Sequence, residues 1–175
     1  MIGMMVPSIS AEISYPVNSQ RLGEVPTYCI VTPVGFSTAD KIKYTSLAEK
    51  GIQEWSRALQ NSGVDNTSNW KMNSKIILSS DYGSNCTIVL SFHETIKQLY
   101  PDEVDYDNVV GLFVHSTQSI KIATQDVSPI QMLNVILHEI GHSIGLGHYV
   151  SDNPETNAAW YSELIPSPSI MIPIL

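Results

Sequence analysis

Hydrophobic and β-branched residues along the chain gather into short runs that turn-forming residues separate. The run Thr27–Val31 is β-branched and aromatic and lies between Pro26 and Pro33, which predicts a first strand. Clusters of Asn, Asp, Gly and Ser separate four further runs of this kind: Lys75–Leu78, Thr87–Phe92, Val109–Val114 and Ile120–Ala123. The pattern therefore predicts five short strands.

A first amphipathic helix is predicted between Thr38 and Ser62. Its apolar residues recur at intervals of four, three and four positions, which places them on one face of a helix. These residues are Ala48, Ile52, Trp55 and Leu59. The sequence Asn61-Ser62-Gly63 then favours a helix end.

A second helix has an unusually clear start. Ser128 can cap it, Pro129 suits the first helical position, and Gln131 can complete a capping box. The apolar face that follows consists of Leu133, Leu137, Ile140 and Ile144, and the pattern stops at Gly145. Strands and helices together predict a mixed α/β architecture.

Length and composition limit the class of protein. The chain has 175 residues, of which 43% are hydrophobic and 15% charged, as in a single globular domain rather than a disordered or membrane-embedded chain. Its formal net charge of −8 repels nucleic acid and anionic membranes. We therefore expect neither a nucleic-acid partner nor insertion of the domain into a membrane.

The two cysteines and the N-terminus bear on the compartment. Cys29 and Cys86 lie in strand-like runs, where they form either one disulfide or two buried thiols. The first twelve residues are apolar and end in small residues, like the last part of a secretory signal cleaved near Ala11, or they form a short extension. We expect residues 1–25 to be a signal remnant or short pro-segment and the protein to be secreted or at the cell surface.

The second helix carries the residues with the clearest chemistry. His138 and His142 are four positions apart, so they project from one helical face and can bind one ion together. Imidazole nitrogen suits zinc. His148 can be a third ligand if Gly145 adopts a left-handed conformation and turns the chain back. Three protein ligands leave an open fourth position, as in catalytic zinc sites.

Glu139 follows the first of these histidines and can lie near the open position without being a ligand. A carboxylate there could take a proton from a water that zinc has acidified and pass it to a leaving amine. The eleven residues from His138 to His148 therefore contain the groups that amide hydrolysis needs.

Other interpretations of the same residues are weaker. Gly141–Gly145 matches the G-x-S-x-G elbow of serine hydrolases, which would make Ser143 a nucleophile, but the elbow needs a preceding strand and the pattern here is helical. His93 and His115 are candidates for a second zinc site. The acidic residues between 102 and 107 could bind calcium, although they lack the glycine and terminal glutamate of an EF-hand loop.

The segment His138–His148 resembles the long zinc signature of the metzincin clan of metallopeptidases, and Ser169–Pro173 is similar to the methionine turn of its matrixin branch. The resemblance implies an α+β domain over residues 26–175. This domain has a five-stranded twisted mixed sheet, two main helices, and a zinc cleft between the active-site helix and a C-terminal Met-turn subdomain. It implies that Met171 forms a hydrophobic floor beneath the metal.

The resemblance also implies how a peptide binds. The strand Val109–Val114 would be the edge strand to which substrate adds antiparallel, through Val109, Val110, Gly111, Leu112 and Phe113. An apolar pocket wall would come from Ile172, Pro173 and Ile174. Tyr149, directly after the third histidine, departs from the better-known branches.

We therefore expect a monomeric zinc endopeptidase that acts on peptides or proteins. The alternative from another class is a zinc-containing peptide-binding module that its own termini keep latent or inactive.

Overall fold

The computed structural model describes residues 25–61, 70–78, 85–102, 106 and 108–148. This part of the chain is an α+β domain with a five-stranded mixed sheet and two helices, as predicted. Its main elements are β1 (Thr27–Val31), α1 (Thr38–Asn61), β2 (Asn73–Ile77), β3 (Ile88–His93), β4 (Gly111–Val114), β5 (Ser119–Ala123) and α2 (Pro129–Ser143). None of the helices within these ranges is long and apolar enough to cross a membrane.

The strands lie in the order β2-β1-β3-β5-β4. The first four run parallel, and β4 pairs antiparallel with β5, with Phe113 opposite Ile120. Helix α1 connects β1 to its parallel neighbour β2, as parallel strands require a crossover. The strand predicted to lie at an edge therefore does so.

Both helices pack on one face of the sheet. Alternate strand residues point toward them because side chains in a strand alternate between the two faces. The fully buried residues on this face include Tyr28, Ile30, Leu90, Ile120 and Ile122. Burial of such aliphatic and aromatic side chains, at roughly 1.5–3 kcal/mol each, stabilises the platform that carries α2.

The opposite face of the sheet holds the disulfide. Cys29 is bonded to Cys86 with their Cα atoms 5.6 Å apart, which resolves the two alternatives that the sequence left open. Cys29 also packs with Val31, Ile77 and Val89 in a second, smaller apolar cluster. The bridge thus ties β1 to the segment that enters β3.

At most of the strand ends, the observed boundary differs from the predicted one by one or two residues. Two strands start two residues from the predicted position. Strand β2 starts at Asn73 rather than Lys75. Strand β4 starts at Gly111 rather than Val109, because the Val109 N–H bonds to the Tyr106 carbonyl at 3.4 Å in a turn. Two short 3-10 helices, Lys97–Leu99 and His115–Thr117, were not predicted, since three residues are too few to show a period.

Candidate metal centre

Helix α2 begins directly after Ser128, which caps its N-terminus. The Ser128 Oγ accepts a hydrogen bond from the Gln131 N–H at 3.3 Å, and the Gln131 Oε1 accepts one from the Ser128 N–H at 3.1 Å. This is the capping box expected from the sequence, with Pro129 at the first helical position. The Trp55 Nε1 also donates to the Leu137 carbonyl at 2.7 Å, which holds α2 against α1.

The helix ends in a Schellman motif. The Gly145 N–H bonds to the His142 carbonyl and the Leu146 N–H to the Gly141 carbonyl, both at 3.0 Å. Gly145 has φ of +102°, a left-handed conformation that a side chain would strain. The chain therefore turns back over the last helical turn, and this reversal directs the following residues toward His142.

Three imidazoles converge as a result. The Nε2 atoms of His138 and His148 are 3.1 Å apart, and the Nε2 atom of His142 is 3.0 Å from each of them. Among the described residues, these three form the one group of His, Cys, Asp and Glu side chains that could hold a metal ion. We call them the histidine triad.

The donor set of the triad fits a zinc ion. The His142 ring bonds through Nδ1 to the Leu146 carbonyl at 2.9 Å, so Nδ1 carries the proton and the Nε2 lone pair points into the triad. Tetrahedral zinc with Zn–N of about 2.0–2.1 Å requires ligand nitrogens about 3.3 Å apart, close to the separations observed. The His142 Nε2 cannot donate a hydrogen bond to the other two rings, because its proton is on Nδ1. The three facing Nε2 atoms are therefore better suited to sharing a cation than to bonding to one another.

The electrostatics keep two rings in the form that binds metal. Burial lowers the pKa of His142, and nearby His115 lowers it further, although the bond to Leu146 opposes this. Burial and the neighbouring His142 lower the pKa of His148. Because only a neutral imidazole can coordinate, both shifts favour metal binding near neutral pH.

Glu139 lies on the side of α2 that packs against the edge strand β4. Its side chain is 6% exposed, and burial raises its pKa to about 8, while a hydrogen bond from the Phe113 backbone opposes the shift. Gly111 of β4 leaves room for it, since a Cβ there would lie 2.8 Å from the Glu139 Oε1 and closer still to Val135. The edge strand thus packs directly on the carboxyl group.

An open cleft of about 930 Å³ adjoins these residues. Its lining includes Glu139, His138 and His148 at one end, and residues of β4 and its approach along one side. Of the predicted substrate-binding residues, Val109, Val110, Gly111 and Leu112 line this cleft, whereas the Phe113 side chain is buried in the core.

Ser143 occupies a structural position. It is the last residue of α2, 2% exposed, with its Oγ 2.8 Å from the Tyr28 hydroxyl and donating to the Ile140 carbonyl at 2.7 Å. The strand that a serine-hydrolase elbow needs before the nucleophile is absent, because a helix precedes Ser143. The arrangement gives no support to a serine nucleophile.

The other candidate metal ligands are not part of the triad. The His93 Nε2 is 2.9 Å from the Ser91 Oγ, and the His115 ring packs edge-on against Phe113 at 4.6 Å. In the part of the chain that the structure describes, neither joins a group of three ligands. Asp102 is exposed, and the rest of the acidic segment at 103, 105 and 107 is outside the described residues.

The remaining predicted site residues also fall outside the described ranges. These are Met171, Ile172, Pro173 and Ile174, together with the expected C-terminal subdomain, and Tyr149 also lies outside these ranges. The extension predicted for residues 1–25 is described only at Val25.

Three features of the site were not found from the sequence. They are the Phe113 backbone bond to Glu139, the close approach at Gly111, and the Tyr28 hydroxyl beneath the end of α2. A lone glycine inside a predicted strand is a known signal of close backbone approach and could have identified Gly111. The other two depend on pairings between distant segments.

Comparison with known proteins adds little to these observations. No family model matches the chain, and no curated protein matches it. Solved structures that match include two of myroilysin at 13% identity, with TM-scores of 0.42 and 0.43. Each alignment covers 87% of this chain, but only 56% and 63% of those chains. The chain thus spans less than two-thirds of their length.

Proposed function

We propose that this protein is a zinc-dependent endopeptidase of the metzincin type, with a matrixin-like methionine turn. The observation that carries the proposal is the convergence of three histidine Nε2 atoms within 3.1 Å, beside a buried glutamate at one end of an open cleft. The ligands would be His138, His142 and His148, and the ion would be zinc because three imidazoles form a typical catalytic zinc set. Bound there, zinc would acidify a water and polarise the substrate carbonyl.

Glu139 would act as the general base. Glu139 lines the same cleft as His138 and His148, and the Phe113 backbone holds its carboxyl by a hydrogen bond. It would accept a proton from the attacking water and deliver that proton to the nitrogen of the leaving amine. Burial raises the pKa of Glu139 to about 8, and a dication next to the carboxyl would lower this pKa and favour the ionised, basic form.

The substrate would bind as an extended strand along β4. The Val110 carbonyl accepts a hydrogen bond from the Ala123 N–H at 2.9 Å, so the backbone N–H and C=O groups of Val110 point toward β5. The backbone groups of its neighbours Val109 and Gly111 therefore point away from β5, at the free edge of the sheet. The Phe113 N–H is taken by Glu139. Gly111 would therefore make the main-chain bonds to the peptide nearest the reaction, as in β-strand addition.

The C-terminal residues would complete the site. Met171 would lie beneath the metal, and Ile172, Pro173 and Ile174 would form an apolar wall for the side chain after the cleaved bond. The Cys29–Cys86 disulfide supports a secreted or cell-surface location, because such bonds persist in oxidising compartments.

The proposal is tested by incubating a mixed peptide library with wild type, Glu139→Gln and His142→Ala, with metal content measured on each. We expect the Glu139→Gln protein to retain one zinc per chain but cleave about 10²–10⁴-fold more slowly, because the base is gone and the shape is kept. The His142→Ala protein should lose zinc as well. Cleavage by Glu139→Gln at the wild-type rate would refute the mechanism.

The same cleavage assay, extended to a protein that lacks residues 1–25 and to inhibitors, separates the alternatives. A latent or inactive zinc-binding module would hold zinc without cleaving any peptide, and cleavage that appears only after removal of residues 1–25 would identify latency. Inhibition by a serine-directed reagent, with no effect of a chelator, would instead indicate Ser143.

A further inference from the structure

The cleft continues well beyond the residues proposed for chemistry. From the triad it follows α2 back past Val135 to the turn before the helix, where Gln125, Asp126 and Val127 line it. Pro129 and His138 are nine residues apart on this helix, which corresponds to about 14 Å at 1.5 Å per residue. The cleft therefore has a remote end that one substrate side chain at the cleaved bond would not reach.

Two acidic residues line this remote end. Glu94 follows β3 and Asp126 follows β5, and both line the cleft. The Gln125 N–H bonds to the Glu94 carbonyl at 3.0 Å, so the two segments lie side by side. Both acidic residues are exposed, and the Gln98 amide donates to the Glu94 Oε2 at 3.1 Å.

The described lining of the cleft contains no lysine or arginine that would compensate the negative charges of Glu94 and Asp126. The sign of the local charge also agrees with the whole chain, whose formal net charge is −8. A cleft lined by one sign of charge concentrates its field and attracts ligands of the opposite sign. Aliphatic side chains of Val109, Val110 and Val127 lie along the path and suit the apolar stem of a long basic side chain.

We propose that the remote end of this cleft selects peptides that carry Lys or Arg about three or four residues from the cleaved bond, through Glu94 and Asp126. The spacing follows from an extended peptide, which advances about 3.3 Å per residue along the cleft. The proposal rests on the proposed endopeptidase function and adds a substrate class to it.

The test compares matched peptides that differ only at that position, with Arg, its neutral isostere citrulline, or Glu. Wild type should cleave the Arg peptide about fivefold faster than the citrulline peptide, as expected for two exposed charges, and the difference should shrink at high salt. In the Glu94→Gln/Asp126→Asn variant the preference should fall to less than twofold. The matched control is Glu49→Gln/Glu54→Gln on α1, which changes the net charge equally outside the cleft and should keep the full preference.

Binding of the same peptides to the Glu139→Gln protein, followed by fluorescence anisotropy, separates the two proposals. Cleavage without charge preference, or a preference that survives in Glu94→Gln/Asp126→Asn, would overturn the substrate class and leave the peptidase function standing. Tighter binding of the Arg peptide with no cleavage by wild type would support the cleft's selectivity and contradict the peptidase function. Equal loss of preference in the control variant would mean that overall charge, not the cleft, attracts the peptide, and would overturn the proposal.

Discussion

At the scale of single residues, the Tyr28 hydroxyl connects strand β1 to the end of the helix that carries the triad. Tyr28 is fully buried, its hydroxyl lies 2.8 Å from the Ser143 Oγ, and burial raises its pKa, so it stays protonated. Tyr28→Phe should lower the free energy of unfolding by about 1 kcal/mol, because one buried hydrogen bond is lost.

Urea unfolding of Tyr28→Phe, Ser143→Ala and the double variant measures this bond as a coupling energy. We expect the double variant to lose less stability than the sum of the single variants. Strict additivity would show that the two hydroxyls do not interact.

His93 predicts a pH dependence of stability. Burial, and secondarily the charge of Lys121, lower its pKa from 6.5, so the folded state favours the neutral ring. The unfolded chain then binds more protons between the lowered pKa and 6.5, and stability contributed by His93 is complete above this window and lost as pH falls through it.

His93→Gln should therefore flatten the dependence of unfolding free energy on pH below 6.5, with wild type in the same metal state as the reference. Lys121→Met should raise the pKa of His93, which NMR titration of the ring measures directly. A pKa of His93 at or above 6.5 in wild type would contradict this account.

The site residues that the sequence revealed are those whose geometry is local. His138 and His142 share a helical face because of their spacing alone, and the left-handed turn at Gly145 follows from a missing Cβ. The contacts of Glu139 with Phe113 and of Tyr28 with Ser143 join segments 26 and 115 residues apart. No periodicity in the chain encodes such pairs, so they required the structure.

At the scale of elements, the turn after α2 is the device that brings the third histidine to the other two. Gly145→Ala should lower stability by about 1–2 kcal/mol because a Cβ disfavours φ of +102°. It should also weaken metal binding, since the turn places His148. Gly35→Ala is a matched control, because Gly35 also has positive φ, +86°, and no atom lies within 4 Å of its added Cβ.

Zinc competition with a chromophoric chelator, together with urea unfolding, distinguishes the two variants. Both should be destabilised, and only Gly145→Ala should bind zinc more weakly. Equal zinc affinities would show that His148 reaches the triad without this turn.

The contact between β4 and α2 can be tested in the same way. In Gly111→Ala the added Cβ would meet Val135 and the Glu139 Oε1, so we expect a loss of about 1–3 kcal/mol and a displaced carboxyl. Gly51→Ala creates a similar clash, 2.6 Å from the Ile136 Cγ2, between the two helices. The peptidase activity that we propose should fall mainly in Gly111→Ala when both variants are measured under conditions where they are folded. Equal activities of the two variants would contradict a role of the edge strand in positioning Glu139.

Elements themselves were predictable because their signals are short-range. The capping box at Ser128 and the four-three-four spacing in α1 lie within single helices, and the β-branched runs marked all five strands. The order β2-β1-β3-β5-β4 is a set of pairings between separate runs, and neither hydrophobicity nor turn residues specify which run lies beside which. Only the edge position of β4 was anticipated, through a family resemblance.

At the scale of the whole molecule, the Cys29–Cys86 bridge spans a separation of 57 residues that includes α1 and β2. Closing a loop of this length restricts the unfolded chain, which stabilises the folded state by about 2–4 kcal/mol. The bridge lies in the apolar cluster on the sheet face away from the helices, whereas the triad lies at the end of α2. Its loss should therefore affect global stability rather than the metal centre.

We predict that Cys29→Ala/Cys86→Ala lowers the free energy of unfolding by that amount but binds one zinc with unchanged affinity in the folded state. Urea unfolding with and without dithiothreitol supplies the control: the reductant should shift the midpoint of wild type toward that of the double variant and leave the double variant unchanged. Weaker zinc binding by the folded double variant would mean that the sheet transmits strain to α2. Strand β1 offers a route for such coupling, because it carries both Cys29 and Tyr28, which face opposite sides of the sheet.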